Sequence, residues 1–271
     1  MNYYICPICK TELSQKENSF YCAAGHCFDR SRKGVLNLLR SQSSRHGDDK
    51  LMVRARKDFL DRGYYRPLLT VIDRQLRSVA TKGCTILDCG CGECWYTANL
   101  YESLKKDGIE TEFYGIDVSK EAVSVGAGRC KELKLAVATV YDIPLPDHSC
   151  DVILSFFAPF SLLEYRRLLK ENGCFITAYP LREHLWELKQ AVYERPYKNE
   201  VSDPEIDGFA LISSENVHKT IELCTNKEIL SLFSMTPYYY KTSREDKEKL
   251  NDLNSLKTQI HFCSAVYQKL S

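Results

Sequence analysis

The chain has 271 residues, 44% of them hydrophobic, with a formal net charge of +1, enough to bury a full core with room for a small second module. It contains no run of eighteen apolar residues, and its first residues, MNYYICPICK, lack the charged-then-apolar order of a secretory leader, which excludes a membrane-spanning helix and predicts a cytoplasmic protein. The thirteen cysteines, odd in number and crowded at Cys89, Cys91 and Cys94, suit reduced thiols better than a disulfide framework.

The N-terminus carries the first chemical signal. Cys6-Pro-Ile-Cys9, twelve further residues and then Cys22-Ala-Ala-Gly-His26 make a C-x2-C knuckle followed by a C-x3-H pair, a donor set suited to tetrahedral Zn2+. Four protein ligands leave no open position, so such a zinc is structural, and a segment of about forty residues has too little core to fold without one. On spacing alone either His26 or the neighbouring Cys27 completes the set.

Residues 1–66 hold 13 Lys or Arg against 7 Asp or Glu, and the rest of the chain 24 against 29, so +6 is balanced by −5. Arg30, Arg32, Lys33, Arg40, Arg45, Lys50, Arg54, Arg56 and Lys57 surround the end of the knuckle, an arrangement that suits a phosphate backbone; the bland reading is a solvated face. SQSSRHGDDK, residues 41–50, reads as a flexible linker between a zinc module at 1–40 and a second domain at 51–271. Leu51 to Leu60 returns to helical periodicity with Leu51, Ala55 and Phe59 on one face, and Pro67 to Val79 predicts a second helix.

The stretch ILDCGCGE at 86–93 is an apolar strand that ends in Asp88 and opens into Gly90 and Gly92. Residues without a Cβ let backbone approach a ligand beyond the carboxyl ends of a parallel sheet. A second apolar run, Phe113 to Ile116, ends 29 residues past Asp88 in Asp117, where a doubly wound fold keeps its ribose-binding carboxylate. A dinucleotide fingerprint needs a third glycine, and Gly90-Cys91-Gly92-Glu93-Cys94-Trp95 has none, so the pattern points to S-adenosylmethionine. The spacing of Cys89, Cys91 and Cys94 also matches a thiolate metal site, but Cys89 ends an apolar strand, where free cysteine behaves as a small hydrophobe.

Strands are predicted at 84–89, 111–117, 133–138, 150–156 and 173–179, with helices between them: an α/β, doubly wound, mostly parallel Rossmann-like sheet. Thr258 to Lys269 alternates and predicts an antiparallel edge strand.

Taken together the blocks CPIC, YCAAGHCFD, KGVLNLL, FLDRGYYRPL, ILDCGCGECWYT, GIDVSK, Ala158-Pro159, EHLWELK and MTPY run end to end along the chain. In them it resembles the 23S ribosomal RNA guanine-N1 methyltransferases that carry an N-terminal zinc module, a class I methyltransferase family. The resemblance implies zinc ligands at Cys6, Cys9, Cys22 and His26. It implies S-adenosylmethionine contacts at Tyr65, Gly92, Glu93 and His184, beside Asp88, Gly90 and Asp117 from the loop itself. It implies methyl transfer to N1 of a guanine in hairpin 35 of 23S rRNA, gripped by the zinc module and the basic front end; some members confer macrolide resistance. A homodimer with an RNA cleft between two knuckles is compatible with it. The alternative is a methyltransferase of a small molecule or protein with a zinc appendage. Where the family has glycine after the glutamate, this chain has Cys94. Guanine N1 lies on the Watson–Crick edge, so the base must be looped or flipped out, and Phe156, Phe157, Phe160, Trp95 and Tyr238 to Tyr240 are candidates to stack on it.

Overall fold

A computed structural model of the protein describes residues 4–40, 47–201 and 204–270; most of the predicted linker, Arg45 included, lies outside them. The N-terminal segment forms an antiparallel sheet of Ser14–Lys16 (β1), Ser19–Tyr21 (β2) and Cys27–Asp29 (β3), followed by a two-residue strand, Leu36–Asn37 (β4). Two helices come next, Lys50–Asp61 (α1), N-capped by Asp49, and Arg66–Val79 (α2), with Pro67 in its first turn. The buried stripe of α1 is Met52, Val53, Ala55, Phe59 and Leu60, whereas Leu51, expected on that face, is exposed.

The central sheet then alternates with helices. Its strands are Thr85–Cys89 (β5), Glu112–Asp117 (β6), Lys134–Val137 (β7), Cys150–Phe156 (β8) and Leu169–Pro180 (β9), and Trp95–Lys106 (α3), Lys120–Gly126 (α4) and Leu162–Leu168 (α5) connect them. After Trp186–Val192 (α6) the chain adds Phe209–Leu223 (β10), the helix Asn226–Ser234 (α7), and Leu256–Lys269 (β11). The order across the sheet is β10-β11-β9-β8-β5-β6-β7-β4, parallel from β4 to β9, with β11 antiparallel to both of its neighbours. β5 and β8 are buried at all but one position each because helices cover both faces of a parallel sheet.

The last strand is antiparallel, as expected, but it is not the edge. β10 covers it over fourteen paired positions. The sequence of β10 lacks a strand's regular apolar alternation: from Leu211 to Asn216 every side chain is exposed, the apolar Leu211 and Ile212 included, and only Phe209, Val217, Ile221 and Leu223 point inward to the core.

The zinc-knuckle segment and the sheet share one core. β4 pairs in parallel with β7 through Leu36↔Ala136 and Asn37↔Val137. Tyr4 is fully buried, donates from its hydroxyl to the carbonyls of Gly115 and Lys134 at 3.1 and 2.9 Å, and meets Tyr114 edge-on at 5.4 Å. Leu36, Leu38, Leu87 and Ile116 lie in one continuous apolar cluster. Residues expected to move as a separate module are therefore strand partners of the large sheet.

Candidate functional site

The loop after β5 is held by backbone bonds from the end of β6. The N–H groups of Gly90 and Cys91 both donate to the Ile116 carbonyl, at 2.8 and 3.0 Å. Gly92 N–H donates to Asp117 Oδ2 at 3.0 Å, and Ser119 N–H to Asp117 Oδ1 at 2.8 Å. Gly90 has φ +80°, and a Cβ there would collide with the Ala158 methyl group, so only glycine allows the loop after β8 to ride over it. The two strand-end carboxylates do different jobs. Asp117 orients the loop, while Asp88 is buried and accepts from the Thr97 hydroxyl at 2.5 Å, tying β5 to α3. Burial pushes Asp88 up to about 7, against the Thr97 bond.

Glu93 is 1% exposed and ion-paired with Arg129, which also bonds the Glu93 carbonyl at 3.0 Å and Asp61 at 2.8 Å. Burial raises its pKa to about 7 despite Arg129. Its side chain thus points into the protein, held there by Arg129. Cys94 takes φ +61° as the N-cap of α3. Its sulfur fits because Gly126 has no Cβ: one built there would stand 2.5 Å from the sulfur.

Tyr65 and His184, far apart in the chain, meet across one ring. Phe262 of β11 lies 4.9 Å from Tyr65 and 4.2 Å from His184. His184 is buried, its Nδ1 accepting from the His261 backbone N–H at 3.3 Å, and burial first, then Lys189 and His261, drives its pKa down to about 3. Arg56, which the sequence presented only as one basic residue among many, turns inward from α1. Its Nη1 approaches to 3.5 Å of a Cβ built on Gly92, and it is ion-paired with Asp48. A guanidinium over a glycine loop suits a carboxylate ligand, and Asp117 keeps free lone pairs for hydroxyl donors. The site fits a cofactor that carries both.

In the knuckle, Cys6 Sγ and Cys22 Sγ lie 3.5 and 3.2 Å from His26 Nδ1, and Cys9 Sγ lies 3.5 Å from Cys22 Sγ. These are close to the edges of a zinc tetrahedron, roughly 3.5–3.8 Å for such bond lengths. Cys27 stands instead in β3 opposite Tyr21, exposed and outside the cluster. The loop cysteines divide between the two faces of the sheet, Cys89 on one and Cys91 and Cys94 on the other.

The family description "RlmA, N-terminal", a zinc ribbon, matches residues 4–46, and "Methyltransferase domain" matches residues 80–248. The chain is 33% identical over 195 residues to the 23S rRNA (guanine(748)-N(1))-methyltransferase of Streptomyces fradiae, covering 71% of this chain and 68% of that one. The 23S rRNA guanine-N1 methyltransferases are its family. A candidate 23S rRNA (guanine-N(1)-)-methyltransferase of Bacillus subtilis (strain 168) is 30% identical over 92% of this chain and 91% of its own. The fold alone is shared with the YcgJ protein of Bacillus subtilis, at TM-score 0.50 and 15% identity over 77% of this chain and all of that one. The chain is thus an S-adenosylmethionine-dependent methyltransferase with a structural zinc ribbon.

The aromatic residues named as stacking candidates divide between core and surface. Phe156 and Trp95 are core residues. Phe157 has φ +59°, is 47% exposed, and lies between Tyr96 at 6.3 Å and Phe262 at 5.3 Å. Phe160 is also exposed, and Tyr240 is engaged with Asp49. Among the described residues no helix is long and apolar enough to cross a membrane.

Proposed function

We propose that this chain methylates N1 of a guanine in hairpin 35 of 23S rRNA. When bound, S-adenosylmethionine would supply a sulfonium-bound methyl group: the N1–CH3 bond would form as the S–CH3 bond breaks, with S-adenosylhomocysteine as the leaving group and the N1 proton released to water. The protein's work is positioning. Asp117 faces the ribose hydroxyls, the Gly90, Gly92 and Glu93 backbone lies against the cofactor, Asp88 braces the loop through Thr97, Tyr65 and His184 form the wall over Phe262, and Arg56 meets the cofactor carboxylate. Cys6, Cys9, Cys22 and His26 hold the zinc.

The observation that carries the acceptor side is Phe157: a non-glycine residue in left-handed backbone, half exposed at the mouth of the site, is where strain is stored for function. Its ring is the platform for an unstacked guanine. The exposed Arg30, Arg32, Lys33 and Arg54 grip the RNA backbone, and a homodimer would double that surface. Primer extension on 23S rRNA incubated with the protein and S-adenosylmethionine tests the reading, because a methyl on N1 halts copying. A new stop in hairpin 35 is the expected result; no stop with cofactor binding intact would mean a different acceptor.

A further inference from the structure

A second cluster of metal-ligating side chains lies outside both the zinc ribbon and the cofactor loop. Glu183, His218 and His261 each bring a ligand atom within 4.8 Å of the other two. His218 in β10 and His261 in β11 stand directly opposite in the antiparallel ladder, their imidazoles stacked with centroids 4.3 Å apart and planes 19° from parallel. Glu183 comes from the turn after β9, whose Leu181 N–H donates to the His261 carbonyl at 2.8 Å. The three ligands thus sit on three hydrogen-bonded backbone segments, a set fixed in place without any ion.

His261 Nδ1 is buried with no hydrogen-bond partner among the described residues. The competing groups are Lys198, 2.8 Å from Glu183 Oε1, and Gln259, whose Oε1 contacts His218 Nε2. A divalent ion outweighs a single ammonium, and Gln259 offers a further oxygen.

We propose that Glu183, His218 and His261 form a second divalent metal site, a two-imidazole, one-carboxylate set that takes Zn2+ or Co2+ with water completing the shell. Because the His261 backbone N–H donates to His184 Nδ1, an ion bound there stiffens the wall behind the cofactor cleft.

Calorimetric titration of Zn2+ into protein whose ribbon is already loaded should show one further equivalent per chain. His218→Ala removes an exposed ring and should weaken that step by roughly 10- to 100-fold while leaving the ribbon zinc and the melting temperature in place; Glu183→Gln should weaken it in the same direction. Co2+ bound there should give only weak visible bands, without the intense near-ultraviolet band of a cobalt–thiolate bond. No further equivalent in the unmodified protein overturns the proposal. So does an equivalent that survives both substitutions, or one that carries the thiolate band.

Discussion

The backbone N–H of Gly92 donates to Asp117 Oδ2 at 3.0 Å, joining the glycine turn of the first sheet strand to the carboxylate that ends the second. The bond makes the two strand ends one unit, because Asp117 accepts from the Gly92 and Ser119 N–H groups together and so holds the glycine loop in place. Asp117→Ala leaves the Gly92 and Ser119 donors without their acceptor, a cost of about 1–3 kcal/mol. We expect cofactor affinity, read by calorimetry, and melting temperature to fall together. An unchanged affinity would remove Asp117 from the site.

Cys94 and Gly126 form a second coupled pair. Gly126→Ala drives a methyl group against the Cys94 sulfur and should destabilise the chain by about 1–3 kcal/mol, the usual cost of overpacking. In a Cys94→Gly background most of that cost should vanish, since both the sulfur and the left-handed strain are gone. A double-mutant cycle by denaturant unfolding measures this, and additive effects would disprove the contact.

Removing the zinc should not leave the sheet untouched. Tyr4, Leu36 and Leu38 are buried against the large sheet, so Cys9→Ser is expected to lose zinc and also lower the single melting transition. Loosening one or two such side chains costs about 3 kcal/mol, or roughly 6–12 °C for a chain of this size. Two separate transitions, with the larger unmoved, would instead show that the ribbon is independent.

His184 makes stability depend on acid. Its pKa near 3 lies below the ordinary 6.5, so between these values the unfolded chain binds more protons. Its contribution is therefore complete above about pH 6.5 and is lost as pH falls towards 3. Asp88 and Glu93, both raised to about 7, act in the opposite sense over the upper part of that range, so the readout must be a difference. The stability gap between the protein and His184→Asn should narrow by about 2 kcal/mol from about pH 7 to pH 5. A gap that stays constant would mean that the ring is not held neutral.

Phe157→Ala tests the acceptor platform. Losing one stacked base contact, about 1–3 kcal/mol, should cut kcat/KM for rRNA by roughly 5- to 150-fold with cofactor affinity unchanged. Equal losses in both would make Phe157 part of the cofactor wall instead.

What the sequence determined by itself is local. Apolar runs of strand length, two glycines beside an acid, and C-x2-C followed by C-x3-H each constrain their own neighbourhood, so the doubly wound sheet, the glycine turn after its first strand and a zinc donor set in the N-terminal segment are legible in the sequence. Tertiary structure decided whatever depends on which face a side chain finds. Arg56 and Glu93 are both charged residues in charged surroundings, yet packing of α1 turned one over Gly92 and burial against Arg129 turned the other inward. Spacing alone could not choose His26 over Cys27, since adjacent residues differ in direction rather than in spacing; the resemblance implied His26, and the fold brings His26 into the cluster. β10 and its His218, the zinc segment's strand in the large sheet, and the meeting of Tyr65 with His184 over Phe262 are all pairings between distant segments. No periodicity within one segment records its partner.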